Sequence, residues 1–318
     1  MSKLITAAGP AHLPKPNMNV NIAGICMKNP VMPASGCFGF GEEYTPYMNL
    51  NELGAIVVKS VTMDETVGNP APRVCETPAG MLNAIGWQNP GADVFINEKM
   101  PFLRKYDTPI IVNLAGKTVE QYAALAARLD GVEGLAGIEL NISCPNVNEG
   151  GVAFGTDPKL ADEVITAVRK ATRLPLIVKL SPNVTDITVM ARAAEEAGAD
   201  AISLINTFTA IAIDIKTRKP IIGNFTGGLS GPAIKPIALY MTYRVAQTVK
   251  VPIIGMGGIL RAEDAIEFLL AGATAVAVGM GTFVNPTAMI EIIDGIESYL
   301  AENNLRDIHE IIGGLIRD

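Results

Sequence analysis

Histidine is almost missing from this 318-residue chain: only His12 and His309 occur, both near the termini, so a histidine-centred mechanism is disfavoured. The four cysteines, Cys26, Cys37, Cys75 and Cys144, form no CxxC pair, which argues against a metal or iron–sulfur site within the chain. No uninterrupted apolar run approaches 18 residues and no charged-then-apolar leader opens the chain. The sequence therefore reads as cytoplasmic and soluble, with no membrane partner. There is no basic block, and the net charge is −7, which speaks against nucleic acid. Aromatics make up 5% and Trp occurs once, so the core must be built from Ile, Val, Leu, Ala and Met.

What is present is a long series of apolar, β-rich runs. Eight stand out, at 31–34, 55–59, 110–114, 137–142, 176–180, 201–205, 252–256 and 275–278. Continuous apolar runs of this length suit parallel strands buried on both faces. Helical patterns lie between them at 119–129, 158–172, 186–197, 234–249 and 262–271. Strand and helix alternate, and eight repeats close a (β/α)8 TIM barrel; an open doubly wound sheet is the alternative. Residues 17–30 resemble a hairpin that could plug the barrel's amino end. Two connections are unusually long, about 61–99 after strand 2 and about 208–231 after strand 6, and both should overhang the active face. A third loop, 147–157, holds Gly150, Gly151 and Gly155 and reads equally as a mobile lid or a plain surface loop. With no linker in sight, the expectation is one domain spanning 1–318.

The chemistry concentrates at strand ends. Ile138-Glu139-Leu140-Asn141-Ile142-Ser143-Cys144-Pro145-Asn146 runs an apolar strand into a thiol flanked by carboxamides, at the end of a barrel strand where ligands sit. Strands 7 and 8 end in Gly255-Met256-Gly257-Gly258 and Val278-Gly279-Met280-Gly281. Paired glycine-rich ends at these two strands suit a phosphate, and Gly231 could join them; turn glycines are the bland alternative. Lys59 and Lys179 end strands 2 and 5 within apolar runs, where a cation needs an anion to offset its burial or must reach solvent. Asn113, Asn141 and Asn206 add carboxamides that suit a flavin or a pyrimidine.

The segments Val57-Val58-Lys59-Ser60, Glu76 to Gly91 (ETPAGMLNAIGWQNPG), Asn141-Ile142-Ser143-Cys144-Pro145-Asn146, Ile205-Asn206-Thr207 and Gly227-Gly228-Leu229-Ser230-Gly231-Pro232 closely resemble the catalytic subunit of the class 1 dihydroorotate dehydrogenases, of the NAD-linked type B. The resemblance covers essentially the whole chain. It implies oxidation of (S)-dihydroorotate to orotate in pyrimidine (UMP) biosynthesis, with FMN as hydride acceptor and Cys144 as the base that takes the C5 proton. It places Lys59, Asn83, Asn141, Asn146, Asn206 and Thr207 on the substrate, with backbone groups of Ala84, Ile85, Gly86 and Trp87. It places Ala34, Ser35, Lys59, Ser60, Asn113, Asn141, Lys179 and Ile205 on FMN, with the phosphate on Gly231, Gly257, Gly258, Gly279 and Met280. It further implies a partner subunit carrying FAD and a [2Fe–2S] cluster, in a heterotetramer built on a homodimer of catalytic chains.

Two positions depart from the resemblance. Met280 stands where a threonine is common, with Thr282 two residues later, which puts a hydroxyl contact to the phosphate in question. Trp87 stands where a leucine is common. The competing functions are a fumarate-linked type A enzyme, an FMN barrel acting on uracil-like bases, a Schiff-base lyase using Lys59 or Lys179, and an idle flavoprotein relay.

Overall fold

The structure is a computed structural model and describes residues 15–142 and 154–316. Its strands run in chain order from a hairpin, β1 (Val20–Ile22) and β2 (Ile25–Met27), to β3 (Val31–Pro33) and β4 (Ile56–Val57). Next come β5 (Val74–Thr77), β6 (Gly80–Asn83), β7 (Ile110–Leu114), β8 (Leu135–Asn141), β9 (Leu176–Lys179) and β10 (Ala201–Leu204). The last are β11 (Phe208–Ala210), β12 (Ile213–Asp214), β13 (Lys219–Pro220), β14 (Gly227–Ser230), β15 (Ile253–Met256) and β16 (Ala275–Val278).

Eight of these form one parallel sheet in the order β3-β16-β15-β10-β9-β8-β7-β4. The two outer strands meet where the Gly54 N–H donates to Val31 O at 2.9 Å. The sheet is a (β/α)8 barrel, and its strands are the eight apolar runs. All are buried because a helix layer covers the outside and the opposite strands fill the inside. The second strand is shorter than its apolar run. The Lys59 N–H turns away to Gly39 O at 2.8 Å, which frees the lysine from the ladder at the barrel mouth.

The helices are α1 (Gly91–Val94), α2 (Met100–Leu103), α3 (Val119–Leu129), α4 (Pro158–Ala171), α5 (Ile187–Glu196), α6 (Lys235–Ala246), α7 (Ala262–Leu270), α8 (Gly281–Val284) and α9 (Ala288–Glu302). The five helical patterns of the sequence correspond to α3 to α7. The starts of α3, α4 and α5 are fixed by side-chain caps: Thr118 accepts from Gln121 N, Asp157 from Lys159 N, and Asp186 from Thr188 N. The connection at 61–99 is less irregular than its composition suggests, since it turns helical at Gly91 and stays so to Leu103. α9 buries Met289, Ile292, Ile296 and Leu300 on one face, a helical spacing that covers the barrel's outside.

The β1–β2 hairpin lies at the amino end, as its position in the sequence suggests. Lys28 Nζ donates at 2.8 Å to both Asn51 O and Asp107 O, beside the start of β7, and Ile25 packs against Gly137. At the other end, the insertions after the second and sixth barrel strands join. β5 and β6 from the first and β14 and β11 from the second form one antiparallel sheet in the order β11-β14-β6-β5. Gly228 pairs with Asn83, Leu229 with Leu82 and Ser230 with Met81. This sheet roofs the carboxyl ends of the barrel strands and has a small apolar cluster of its own, Leu82, Ala84 and Ile222.

Candidate active site

Between the barrel mouth and this roof lies a cavity of about 440 Å³, within the range of small-molecule and cofactor sites. Barrel strand ends supply Ala34, Ser35, Lys59, Asn141, Lys179, Ile205, Asn206 and Thr207 to its wall. The roof supplies Asn83, Ile85, Gly86 and Trp87. Gly231, Gly257, Gly258, Gly279 and Met280 line one end together. Gly231 and Gly258 abut at that end. Both have positive φ (101° and 81°), and a Cβ on Gly258 would sit 2.8 Å from Gly231 O, so neither position tolerates a side chain.

Three of the expected site residues stand behind the wall. Ser60, Ala84 and Asn113 are buried at 6%, 1% and 0% exposure and do not line the cavity. Cys144 and Asn146 lie outside the described residues, as does the greater part of the loop at 147–157. The wall also includes residues that the strand-end reading passed over: Gly36, Cys37, Val74, Met81, Ser230, Ile234, Met256 and Phe283. Most are apolar, and the signal that could have found them is adjacency to the recognised motifs.

The floor holds a charge that the sequence reading did not single out. Glu139, two residues before Asn141 on β8, is 3% exposed and faces inward. Its Oε2 accepts from Asn113 Nδ2 at 2.6 Å, its Oε1 accepts from Ser203 Oγ at 2.8 Å, and Lys179 Nζ lies 3.7 Å away. The anion beside Lys179 is therefore one that the chain itself provides. The period-2 alternation of a strand carried the signal, because it puts Glu139 and Asn141 on the same face. Asn113 in turn presents its Oδ1 to Asn141 Nδ2 at 3.5 Å, and the Tyr122 hydroxyl donates to Asn141 O at 2.8 Å.

Burial pushes the Cys37 thiol up, and the weaker pull of Lys179 and Lys59 does not reverse it. At this wall Cys37 stays a thiol, consistent with an inert packing role. In the roof, Arg73 staples the loop that bears 84–87. Its Nη1 donates to Gln88 Oε1 at 2.6 Å and its Nη2 to Val67 O at 2.9 Å. Asn89 Nδ2 donates to Trp87 O at 2.7 Å and helps to hold Trp87 at a φ of 57°.

Two comparisons bear on this geometry. A family model described as dihydroorotate dehydrogenase matches residues 17–300. The chain belongs to the dihydroorotate dehydrogenase family. It is 58% identical over 302 residues to the "Dihydroorotate dehydrogenase B (NAD(+)), catalytic subunit" of Geotalea uraniireducens (strain Rf4), covering 95% of this chain and 99% of that one. It is 60% identical over 299 residues to the protein of that name from Alkaliphilus oremlandii (strain OhILAs), covering 94% and 99%. As a dihydroorotate dehydrogenase family member it is an oxidoreductase with the family's barrel.

The two departures from the family pattern have structural accounts. Thr282 is 1% exposed. Its hydroxyl bonds to Tyr44, Cys37 O and Gly279 O, and Thr282 does not line the cavity. Trp87 lines the cavity, so the larger ring shapes the pocket as well as the loop.

Whether the cavity fits FMN can be judged from its own groups. Ser35 Oγ is buried on the wall with no hydrogen-bond partner among the described residues. The glycine-lined end lies at the strand 7 and 8 termini, where barrels bind phosphate. Cations and carboxamides lie along the wall between that end and the roof. The donor set suits a phosphorylated flavin. No helix among the described residues is long and apolar enough to cross a membrane.

Proposed function

We propose that the chain oxidises (S)-dihydroorotate to orotate as the catalytic subunit of an NAD-linked dihydroorotate dehydrogenase of pyrimidine biosynthesis. The observation that carries this is the cavity wall itself: Lys59, three carboxamides and a glycine-rich end converge at the carboxyl ends of the strands. FMN supplies a hydride acceptor when bound.

Lys59 holds the substrate carboxylate through a charge-assisted hydrogen bond. Asn83, Asn141, Asn146, Asn206 and Thr207, with backbone groups at 85–87 backed by Ala84, hold the pyrimidine edge and orient C6 for hydride transfer. The Cys144 thiolate takes the proton from C5 as the hydride leaves C6, and the C5–C6 double bond forms between them. Ala34, Ser35, Lys59, Asn141, Lys179 and Ile205 would hold the flavin, with Ser60 and Asn113 supporting them from behind the wall. Gly231, Gly257, Gly258, Gly279 and Met280 hold its phosphate. Lys179 would stabilise the negative charge that the ring gains on reduction.

The relatives' names carry both "NAD(+)" and "catalytic subunit", which supports a second subunit as the route to NAD. In this reading that subunit bears FAD and a [2Fe–2S] cluster and completes a cytoplasmic heterotetramer around a homodimer of these chains, each chain one FMN-binding domain. The test is the anaerobic visible spectrum of the purified protein before and after dihydroorotate. A flavin band that bleaches is the expected result. A band that persists overturns the substrate, and a protein that takes up no FMN overturns the cofactor.

A further inference from the structure

Glu139 occupies the barrel layer directly beneath the cavity. Asn141 and Lys179, which face each other in register across β8 and β9, line the cavity; Glu139 and Asn113, which face each other across β8 and β7, do not. Both carboxylate oxygens of Glu139 are engaged, by Ser203 on one side and by Asn113 and Lys179 on the other. A carboxylate so enclosed cannot reach a ligand in the cavity. A buried ion pair is also a weak device for stability alone, because a well-packed apolar pair of the same volume does as well. What the carboxylate does supply is a negative charge 3.7 Å from Lys179, a cation that lines the cavity.

We propose that Glu139 is a positioning residue that sets the electrostatic field on the bound flavin, by holding Lys179 and Asn113 in place and offsetting part of the lysine's charge. The proposal rests on the flavin reading above. Lys179 alone would stabilise the reduced, negatively charged ring strongly and would hold its electrons there. With Glu139 behind it the same lysine still orients the ring, but the reduced state is less favoured and electrons leave more readily for the next acceptor. Ser203 and Asn113 keep the carboxylate from turning fully onto Lys179, so the offset is partial.

Sulfite tests the field without turnover, because its addition to flavin N5 leaves negative charge on the ring as reduction does. The test uses the full-length chain loaded with FMN, as wild type, Glu139→Gln, Lys179→Met and the double variant. Gln keeps the volume and can accept from Asn113 while donating to the Ser203 hydroxyl. Glu139→Gln is expected to bind sulfite about tenfold or more tightly and Lys179→Met about tenfold less tightly, with the double variant within about threefold of wild type, as point charges in a protein interior require. Sulfite affinity in Glu139→Gln within about twofold of wild type, or weaker, overturns the proposal.

A flavin-free measurement covers the case in which a single variant fails to fold. Each single change leaves one buried charge alone, so melting of the apo chain should fall in both and recover in the double variant. A double variant no more stable than the singles overturns the pairing. A wild-type chain that takes up no FMN overturns the flavin reading and this proposal together. A yellow wild type with an indifferent Glu139→Gln overturns this proposal alone.

Discussion

The Tyr44 hydroxyl meets Thr282 Oγ1 at 3.0 Å, inside the wall behind the turn that follows β16. Tyr44 also lies 2.9 Å from Cys37 O, and Thr282 lies 3.0 Å from Gly279 O. The threonine hydroxyl therefore ties the segment after β3 to the turn after β16, and Thr282 does not line the cavity. Thr282→Val should destabilise the fold by about 1–2 kcal/mol, because the Tyr44 hydroxyl loses a buried partner. FMN affinity should stay within about twofold, since Thr282 does not line the cavity and the phosphate is assigned to Gly231, Gly257, Gly258, Gly279 and Met280. Thermal melting and FMN titration check the two halves; a tenfold weaker FMN complex would show that the hydroxyl reaches the phosphate after all.

Lys59 stands on the cavity wall opposite the roof that bears Asn83. A dihydroorotate site and a uracil site differ by one carboxylate, and Lys59 is the residue assigned to it. Lys59→Ala should weaken orotate binding by about 10- to 100-fold, the value of a hydrogen bond between charged groups. Uracil binding should change by less than about threefold. Equal losses for both ligands would remove Lys59 from the carboxylate.

The barrel was legible because buried parallel strands are written as uninterrupted apolar runs, and all eight runs are strands. The glycine ends after β15 and β16 were legible because barrels place ligands there. The roof was not. Its pairing of Gly228 with Asn83 joins positions 145 apart, and nothing local in either segment specifies the other. Glu139 escaped for a different reason. A single acidic residue in an apolar run reads as an interruption until the strand's alternation shows that it points inward with Asn141. The anion needed to offset Lys179 was anticipated, but its source in the chain was not.

Cys144 lies outside the described residues, so its role rests on the motif that surrounds it. Cys144→Ser should retain FMN and orotate while slowing anaerobic flavin reduction by about 10²-fold or more near neutral pH, the usual contribution of a placed base. Unchanged stopped-flow kinetics would require a different base.

Cys37 makes a prediction about alkaline pH. Its thiol is held above the ordinary range by burial. Below about pH 7.5, a unit under the free thiol value, it is protonated in both folded and unfolded chains and adds little pH dependence. As the pH rises past that point the unfolded chain loses its proton first, so stability falls until the pH passes the folded value. Cys37→Ala removes this component. The stability of the variant, measured by urea unfolding, should decline less steeply than wild type above about pH 9 and run parallel to it below about pH 7.5. Parallel curves throughout would mean that the folded thiol titrates normally.

Gly228 is where the roof presses on Thr207, at the end of the sixth barrel strand. A Cβ there would lie 2.0 Å from Thr207 Oγ1 and 2.7 Å from Thr207 Cβ. Rotating the threonine relieves the first contact but not the second, so backbone must move. The strands that must move are β14 and its partner β6, which carries Asn83, because the barrel strands are fixed by the main core. Gly228→Ala should therefore weaken orotate binding by about tenfold or more through displaced Asn83 and Thr207, a loss typical of polar groups that no longer meet their partners. The roof's apolar cluster is separate from the main core, so the main melting transition should shift by less than about 4 °C. A large loss of melting temperature with unchanged orotate affinity would show that the roof and the barrel fold as one unit and that the substrate does not depend on the roof's register.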